Sequence, residues 1–415
     1  MQARADRLVI IGGGPAGMMA GIKALEYGVR VTLLEQNEKL GKKLYITGKG
    51  RCNLSNAAQG EDFMRQIPRN PRFLYSALDH LDCQALRDML GDLQCPTVVE
   101  RGQRVFPEAQ KASDVTRALA RGLQGADIRL HARVTDIRKA DDGFDISLAD
   151  GETLHAGALV LATGGLSYAV TGATGDGYRF AQGFGMQVTD RSPALVPIET
   201  VESWPKALQG LTLKNVRLSA REGKKLLFDE QGEMLFTHFG VSGPLVLTLS
   251  SLLSGRDHAK VQLSLDMKPA LSHEQLVQRL QRMLAQSGRK QLKNLLPELL
   301  PASMAEIFPT LSDIDFGAQA SQVTAAQRDG IARLLKAIPL SIKALRGYNE
   351  AVITRGGIDV RDIDPSSMMS KTVPGLFLAG ELIDVDGFTG GFNLQIAFST
   401  GALAGVSAAR YITKP

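Results

Sequence analysis

The sequence has few of the residues that several common classes of protein need. It contains three cysteines, Cys52, Cys83 and Cys95, without a CxxC pair, which argues against a disulfide framework and favours reduced thiols in a cytosol. Its six histidines form no HExxH motif and no close pair, so we expect no metal site. No apolar run approaches the roughly 20 residues that cross a bilayer, and the N-terminus lacks a secretory pattern. These absences predict a cytoplasmic protein without a metal or a membrane contact.

The overall composition is that of an ordinary folded enzyme. With 415 residues, 44% hydrophobic and 22% charged, the chain is long enough for two or three domains. A net charge of +5 and a pI near 9.0 suit an anionic partner, which is either a cofactor or a nucleic acid. One basic stretch, either a solvated helix face or a footprint for RNA, comprises Arg279, Arg282, Arg289, Lys290 and Lys293.

The N-terminal segment has the pattern of a dinucleotide-binding unit. The apolar run Arg7–Ile11 leads into "GGGPAG", where Gly12, Gly14 and Gly17 have the GxGxxG spacing, and a helical segment follows. These glycines permit a tight turn, a close approach to a pyrophosphate, and packing of the helix on its strand. Glu35 ends the next strand at the spacing of an acid that binds a ribose. Since such an acid repels the 2′-phosphate of NADP, the nucleotide is FAD or NAD.

The C-terminal segment decides between these two. "GLFLAGELIDVDGFTGGFN" begins as a buried strand, turns at Gly380 and Glu381, passes Asp384, and opens a helix at Phe392 and Asn393. A second strand end and a second helix N-terminus suit a ligand longer than NAD, and the helix start can stabilise negative charge on reduced flavin. FAD is therefore the predicted cofactor.

Two more glycine-rich stretches follow a strand or precede a helix. "LVLATGG", which ends in Thr163, Gly164 and Gly165, is a further strand-to-glycine turn. In "TGATGDGY", Asp176 is expected to be a helix N-cap, and the glycines before it line either the flavin or an anion.

The middle of the chain carries clear strand and helix signals. From Ile128 to Leu161 a period of two, with "DDG" and "DG" turns, predicts a three-stranded meander that returns to a buried strand. Farther on, Ser272 with Gln275 and Thr324 with Gln327 form capping boxes before apolar stripes, which predicts two helices.

A cationic loop, "GKKLYITGKGRCNLSN", follows the second strand. Gly48 and Gly50 allow the backbone close to a planar ring, and Lys42, Lys43, Lys49 and Arg51 supply positive charge for reduced flavin or the pyrophosphate. A solvated charge run is the alternative.

Three residues are candidates for catalysis, and each has a structural alternative. Cys52 either donates a proton to a substrate carbon or packs inside the loop. His238, in "FTHFGVSGP", is either an acid that faces the flavin or a hydrogen-bonded structural histidine. Arg51, between a glycine and Cys52, either stabilises negative charge or is solvated.

These motifs together resemble the BaiN/YhiN (RdsA-like) family of FAD-dependent oxidoreductases. The resemblance covers nearly the whole chain and is carried by "IIGGGPAG", "LGKKLYITGKGRCNLSN", "ATGGLSYAVTGATGDGY", "FTHFGVSGP", "EAVITRGGIDV" and "VPGLFLAGELIDVDGFTGGFNLQIAFSTG". It implies an α/β fold in which a glutathione-reductase-type FAD-binding domain, Rossmann-like, is interrupted by a β-barrel-like domain and a small helical domain. We place the FAD-binding domain at 1–191 and 347–415, the barrel-like domain at 192–268 and 338–346, and the helical insertion at 269–337.

The motifs and the resemblance together predict which residues bind FAD. They are Gly12, Gly14, Pro15, Ala16, Gly17, Glu35, Gln36, Lys43, Thr47, Gly48, Gly50, Arg51, Asn53, Val134, Thr163, Gly164, Gly380, Glu381, Asp384, Gly391, Phe392, Asn393 and Leu394.

The expected activity is transfer of a hydride from flavin to an electron-poor double bond. No second GxGxxG is present, so NAD(P)H is expected to dock transiently at the flavin, and the inserted domain to close over the ring and select the substrate. The resemblance leaves the substrate open between a uridine of 23S ribosomal RNA, as in a dihydrouridine synthase, and small molecules such as steroid-like enones or aminoketones. A non-catalytic, FAD-stabilised protein that binds the ribosome is the alternative of another class.

Overall fold

The structure is a computed structural model that describes residues 6–414. It divides into two compact units, of which the first comprises Met1–Ala194 with Tyr348–Pro415 and the second comprises Leu195–Gly347. The second unit lies in the sequence between the two segments of the first, so it interrupts the first unit. The finer division of the insertion into a barrel domain and a helical domain stays a prediction.

A parallel sheet forms the centre of the first unit. Its strands, in spatial order, are Leu376–Leu378, Ala158–Leu161, Arg7–Ile11, Arg30–Leu34 and Asp127–Arg129. The inner strands are continuous apolar runs, such as "ALVL", whose residues are all buried, because a parallel sheet is covered on both faces. The predicted Rossmann-like α/β fold is confirmed.

Smaller antiparallel sheets surround this centre. Their strands are Val134–Ala140, Gly143–Leu148 and Thr153–Ala156; Ser55–Asn56, Arg104–Pro107 and Thr97–Glu100; and Ser192–Ala194 with Ile353–Arg355. The first group is the predicted meander. Its expected opening strand, "IRLHARVTDI", is divided, because the chain turns at residues 130–133, where His131 has a φ of 56°. The part before the turn joins the parallel sheet instead.

The first unit contains α-helices on both sides of the sequence insertion. They are Pro15–Leu25, Gly60–Met64, Tyr75–His80, Cys83–Asp92, Ala112–Gly122, Asp176–Gly183 and Phe392–Thr413, with 3₁₀ turns at Leu44–Gly50, Pro71–Leu74, Arg101–Gln103, Ala169–Thr171, Val360–Asp362 and Gly380–Leu382. Asp176 lies in the first turn of its helix, and the N-cap is Gly175, so the prediction of Asp176 as the cap was wrong. Its carboxylate instead accepts a hydrogen bond from Thr174 Oγ1 at 2.9 Å.

The first and last helices of the unit pack with their backbones in contact. A Cβ atom added at Gly401 would lie 2.3 Å from the carbonyl oxygen of Ala16, and one at Gly405 would lie 2.2 Å from that of Ala20. Only glycine permits this approach. It joins the two ends of the chain and sets the last helix beside the first glycine turn.

A closed barrel of six strands forms the second unit together with its helices. In spatial order the strands are Ile198–Thr200, Gly240–Ser242, Lys225–Phe236, Thr212–Glu222, Val261–Asp266 and Ile338–Leu345. The α-helices are Trp204–Ala207, Pro244–Leu253, His273–Gln286, Ala302–Ile307 and Ala325–Lys336, and the 3₁₀ turns are His258–Lys260, Leu292–Glu298, Phe308–Leu311 and Ala320–Gln322. The barrel expected from the resemblance is present.

Both predicted capping boxes are confirmed. The Ser272 hydroxyl accepts a hydrogen bond from the Gln275 N–H at 3.2 Å, and the Gln275 side chain accepts one from the Ser272 N–H at 2.9 Å. Thr324 and Gln327 repeat this exchange at the same distances. Within residues 6–414, none of the helices combines the length and the apolar character that a membrane span requires.

Candidate functional site

A cleft in the first unit runs along the carboxyl edge of the parallel sheet. Its lining includes residues that lie one or two positions after the ends of four adjacent strands: Glu35, Gly12, Thr163 and Gly380. Ligands of open α/β sheets bind at this edge. Because neighbouring strands lie about 4.8 Å apart, the cleft crosses about 14 Å of sheet. Such a span suits a long dinucleotide.

The first glycine turn has the geometry that its spacing predicts. Gly12 has a φ of 109°, and an added Cβ would lie 2.4 Å from the carbonyl oxygen of Ala162, so the turn touches the next strand. At Gly17 a Cβ would lie 1.9 Å from the carbonyl oxygen of Gly12. A Cβ at Gly14 would meet nothing within 4 Å. Gly14 precedes the helix Pro15–Leu25, so an open backbone and the positive helix end lie together at the cleft.

Glu35 is held in a fixed position at the end of the second strand. It is buried, and its Oε2 accepts a hydrogen bond from the Gly13 N–H at 2.8 Å. Its Oε1 accepts from the Asn37 N–H at 2.8 Å and from Asn37 Nδ2 at 2.7 Å. Since a carboxylate has about four acceptor positions, it can still accept from a ribose.

The loop 171–176 closes the same end of the cleft. Gln36 Nε2 donates to the carbonyl oxygen of Gly172 at 2.5 Å, and Asn37 Nδ2 donates to that of Thr171 at 3.1 Å. This loop lines the cleft, as does Arg133 beside the predicted Val134. Sequence reasoning left the role of the loop open, and it did not find Asn37.

Thr163 and Gly164 provide a test of whether FAD fits. The Thr163 hydroxyl is buried and has no hydrogen-bond partner in the part of the chain that the structure describes, which is costly unless a bound group supplies one. At Gly164, which has a φ of 75°, a Cβ would meet nothing within 4 Å. An unpaired hydroxyl and an open backbone between two strand ends fit the phosphate and hydroxyl groups of FAD. The residues present therefore fit this cofactor.

An ion pair joins two predicted cofactor residues that are far apart in the chain. Lys43 Nζ donates to Glu381 Oε2 and to Ser167 Oγ, both at 2.7 Å. Glu381 Oε1 in turn accepts from Ser167 Oγ and from the Thr354 N–H, both at 2.8 Å. All these residues line the cleft. The sequence analysis missed Ser167 and Thr354, although both lie within the quoted motifs "ATGGLSY" and "EAVITRGG".

The lining separates the predicted FAD-binding residues into two groups. Those that line the cleft are Gly12, Gly14, Pro15, Ala16, Glu35, Gln36, Lys43, Thr47, Val134, Thr163, Gly164, Gly380, Glu381, Asn393 and Leu394. Those outside the lining are Gly17, Gly48, Gly50, Arg51, Asn53, Asp384, Gly391 and Phe392. A role of the second group in binding FAD stays a prediction.

Arg51 belongs to the second group. Its guanidinium donates to the side chains of Glu100 and Gln110 and stacks on the ring of Phe106, with its Cζ 4.1 Å from the centroid. Gly48 has a φ of 56°, and a Cβ there would lie 2.9 Å from the Asn53 nitrogen. The cationic loop is therefore fastened to its own unit by Arg51, which does not face the cleft.

Cys52 lies packed inside this loop, as one of its two interpretations expected. Its relative exposure is 0%, its φ is 61°, and its N–H donates to the carbonyl oxygen of Thr47 at 3.0 Å. Burial raises the pKa of the Cys52 thiol to about 12. A buried thiol outside the cleft lining is poorly placed to protonate a substrate.

The start of the C-terminal helix is shaped by two asparagines. In the amide orientation that satisfies its neighbours, Asn53 accepts from the Gly391 N–H at 3.1 Å. Asn393 accepts from the Gly387 N–H at 2.8 Å and donates to the Gly387 carbonyl oxygen at 2.7 Å. Phe392 packs edge-on against Phe63, with 5.1 Å between the ring centroids. These contacts fix the segment that carries Leu394 into the cleft.

Two aspartates share one arginine in the segment before this helix. Arg69 donates to Asp384 at 3.0 and 3.2 Å, whereas its Nε lies 3.7 Å from Asp386 Oδ1. Asp386 lines the cleft, and its pKa is raised to about 6 because burial disfavours its charge; Asp384 adds to this effect, and Arg69 and Arg355 oppose it. The sequence analysis named Asp384 and missed Asp386.

His238 lies in the second unit. Its imidazole is exposed and meets the ring of Phe239 edge-on, with centroids 4.8 Å apart. An acid role for His238 stays a prediction. In the part of the chain that the structure describes, no three His, Cys, Asp or Glu side chains are grouped to hold a metal ion.

Residues 6–407 match the family described as the HI0933-like protein Rossmann domain. The chain belongs to this family. The resemblance stated from the motifs is thereby confirmed, and the HI0933-like chain is an FAD-dependent oxidoreductase.

Curated relatives of the HI0933-like chain cover almost its full length. A 3-dehydro-bile acid delta(4,6)-reductase of Clostridium scindens is 30% identical over 413 residues, which is 97% of this chain and 99% of the relative. A ribosomal RNA dihydrouridine synthase of Escherichia coli is 30% identical over 409 residues, with 94% and 95% covered. The synthase of the same description from Haemophilus influenzae is 27% identical, with 97% and 98% covered.

Solved structures share the fold at low sequence identity. The FrdA subunit of E. coli quinol fumarate reductase has a TM-score of 0.54 at 17% identity, covering 100% of this chain and 71% of that chain. A 3-ketosteroid-delta4-(5alpha)-dehydrogenase of Rhodococcus jostii has a TM-score of 0.51 at 15% identity, with 100% and 98% covered. At such identities these structures support the fold of the HI0933-like chain alone.

Proposed function

We propose that this protein uses NAD(P)H to reduce its FAD and then saturates a carbon–carbon double bond conjugated to a carbonyl group, with a uridine of 23S ribosomal RNA as the substrate. The observation that carries the proposal is the long cleft across four strand ends, with its open glycines and unpaired Thr163 hydroxyl. A cleft of this form orients a dinucleotide along the sheet edge.

The residues of the cleft have distinct tasks toward the cofactor. Glu35 accepts hydrogen bonds from the ribose, and the turn at Gly14 presents free N–H groups and the helix dipole to the pyrophosphate. Lys43 and Glu381 place one cation and one hydrogen-bonded carboxylate farther along the cleft. FAD, when bound, supplies the two-electron chemistry, and the protein orients it and excludes water.

The chemistry named for the two groups of relatives is related. A bile acid delta(4,6)-reductase and a ribosomal RNA dihydrouridine synthase both add hydrogen across carbon–carbon double bonds. In uridine this bond is conjugated to a ring carbonyl, so the carbon that accepts a hydride is electron-poor. One flavin site can serve both chemistries, and the substrate is then chosen by surfaces outside the cofactor cleft.

Exposed cations favour RNA as the substrate. Arg279, Arg282, Arg289, Lys290 and Lys293 are all exposed in the second unit, and none joins a salt bridge among the described residues. Nearby ionic groups are paired, as His273 and Arg333 are with Asp329. Unpaired cations suit phosphates, whose binding releases counterions and weakens with salt.

The test uses the FAD-loaded protein and unmodified large-subunit ribosomal RNA. With NADPH or NADH under anaerobic conditions, we expect dihydrouridine to appear in the RNA, measured by mass spectrometry of nuclease digests. A triple Arg279→Gln, Arg282→Gln, Lys293→Gln variant should lose RNA turnover by tenfold or more and keep flavin reduction. RNA from a strain that lacks the gene serves as a second unmodified substrate. If the protein reduces its flavin but forms no dihydrouridine in either RNA, ribosomal RNA is not its substrate.

A small enone is the second candidate substrate. It is favoured by the Clostridium scindens reductase, which is as similar to this chain as the E. coli synthase and is covered over 99% of its length. The same assay with a 3-oxo-Δ4,6 steroid in place of RNA separates the two. Oxidation of the reduced flavin by the steroid, but not by the RNA, would favour this candidate. A flavin that neither nicotinamide reduces would favour a non-catalytic role.

A further inference from the structure

One acid in the lining of the cleft differs from the others in its hydrogen bonds. The acids in the lining are Glu35, Asp176, Glu381 and Asp386. The first three have hydrogen bonds on both carboxylate oxygens. Asp386 differs, because its Oδ1 is buried and has no hydrogen-bond partner among residues 6–414, and its side chain is only 3% exposed. A buried carboxylate oxygen at a cleft that lacks a hydrogen-bond partner needs a reason.

We propose that Asp386 is a catalytic residue of this enzyme and gives the proton that completes reduction of the substrate double bond. This inference rests on the proposed function, since saturation of a double bond adds one hydride and one proton. The hydride comes from reduced flavin to one carbon. The Asp386 carboxylic acid gives its proton to the neighbouring carbon, becomes a carboxylate, and regains a proton from water.

The surroundings of Asp386 suit proton exchange near neutral pH. Arg69 forms a two-point contact with Asp384 and leaves Asp386 with a longer ionic contact of 3.7 Å. The charged groups that face Asp386 are Arg69, from the segment before the 3₁₀ turn Pro71–Leu74; Arg355, at the end of the strand Ile353–Arg355; and Asp384 on its own segment. Burial outweighs the two arginines and raises the pKa of Asp386 to about 6. A buried acid in a cleft whose pKa is raised in this way is typical of residues that transfer protons.

The location of Asp386 in the cleft is also suitable. It precedes the helix start that carries Asn393 and Leu394, at the far side of the sheet from Glu35. Glu35 and the glycine turn would hold the nucleotide end of the cofactor, which would leave the side of the cleft at Asp386 for its redox ring. Cys52, the proton donor considered from the sequence, does not line the cleft.

The decisive variant is Asp386→Asn, which keeps the shape and removes the acid. We expect it to bind FAD and to be reduced by NAD(P)H as the wild type is. Its oxidation by ferricyanide, which takes electrons without protonation at carbon, should be unchanged. Turnover with ribosomal RNA or a 3-oxo-Δ4,6 steroid should fall about 100-fold, the usual effect of losing a general acid. In the wild type this turnover should decline as pH rises through about 6, and the variant should lose that decline.

Asp359→Asn is the matched control. Asp359 is also a buried carboxylate paired with an arginine, Arg361, but it lies outside the cleft lining. Its variant should keep wild-type turnover with every acceptor. Wild-type turnover of the carbon acceptor by Asp386→Asn would overturn the proposal. An equal loss with ferricyanide would do the same, because it would indicate a structural defect.

A second measurement separates this proposal from the proposed function. The carboxyl groups of aspartate can be labelled with ¹³C in the protein without FAD and titrated by NMR, with Asp386→Asn identifying the signal. We expect this signal to titrate near pH 6. If neither acceptor is reduced by the wild type, the proposed function fails, whereas the titration still decides on Asp386. A midpoint in the ordinary range of aspartate would overturn its role.

Discussion

Two glycine-rich regions of the first unit differ in what their glycines do. In the turn Gly12–Gly17, the glycines make room for backbone on both sides and leave Gly14 open to the cleft. In the loop after the second strand, Gly48 and Gly50 lie outside the cleft lining and have φ values of 56° and 85°. Both regions look alike in sequence. The difference is that a strand and a helix fix the first, whereas side chains fasten the second.

The largest loss of stability is expected on the buried side of the turn Gly12–Gly17. Gly17→Ala places a Cβ 1.9 Å from the carbonyl oxygen of Gly12, so the helix must move away from its strand. We expect a loss of about 3 kcal/mol in the free energy of unfolding. Urea denaturation measures it. Gly183→Ala, where a Cβ meets nothing, is the control, and equal stability of the two variants would contradict the comparison.

The open side of the turn should affect the ligand instead. Gly14→Ala meets no protein atom within 4 Å, and its φ of −77° is allowed for alanine. Stability without FAD should therefore be unchanged. The glycine spacing predicts that the pyrophosphate approaches the backbone here, so the added methyl group should raise the dissociation constant for FAD about tenfold, or about 1.4 kcal/mol. Titration of the protein without cofactor by flavin fluorescence measures it, and an unchanged affinity would refute this role of Gly14.

In the cationic loop, a substitution should lower the free energy of unfolding rather than the affinity for FAD. Arg51→Ala removes the contacts with Glu100, Gln110 and Phe106, and should lower the free energy of unfolding by about 1 kcal/mol, since the groups are partly exposed. The affinity for FAD should change less than twofold. Lys49→Ala, an exposed cation of the same loop, controls for charge. If Arg51→Ala lowers the affinity for FAD and Lys49→Ala does not, Arg51 contributes to the FAD site.

The smallest change in stability is expected for Cys52→Ala, and this change depends on pH. Burial raises the pKa of its thiol from 9.0 to about 12, so the unfolded chain ionises first as pH rises. Its contribution to stability is therefore complete below about pH 9 and declines between pH 9 and 12. Between pH 8 and 10, Cys52→Ala should lose about 1 kcal/mol less stability than the wild type, as measured by urea denaturation. Substrate turnover should be unchanged, and a strong loss would restore Cys52 as the proton donor.

The residues predicted from the sequence differ in how far local spacing could place them. Gly12, Gly14 and Glu35 were assigned from spacing, and the structure places all of them at the cleft. Their positions follow from a strand, a turn and a helix, which local sequence specifies. For Arg51 the charge was evident but its direction was not, because its partners Glu100 and Gln110 lie far along the chain.

The sequence by itself determined the fold class, the cofactor and the glycine turn, since apolar periods, glycine spacing and capping residues act over a few neighbouring residues. Only the tertiary structure decided that Lys43 pairs with Glu381, 338 positions away, and that Asp386 rather than Asp384 lines the cleft. Burial and ionic partners depend on which segments meet in space. Two aspartates two residues apart can therefore differ in their ionic contacts and in whether they line the cleft, although nothing in their local sequence distinguishes them.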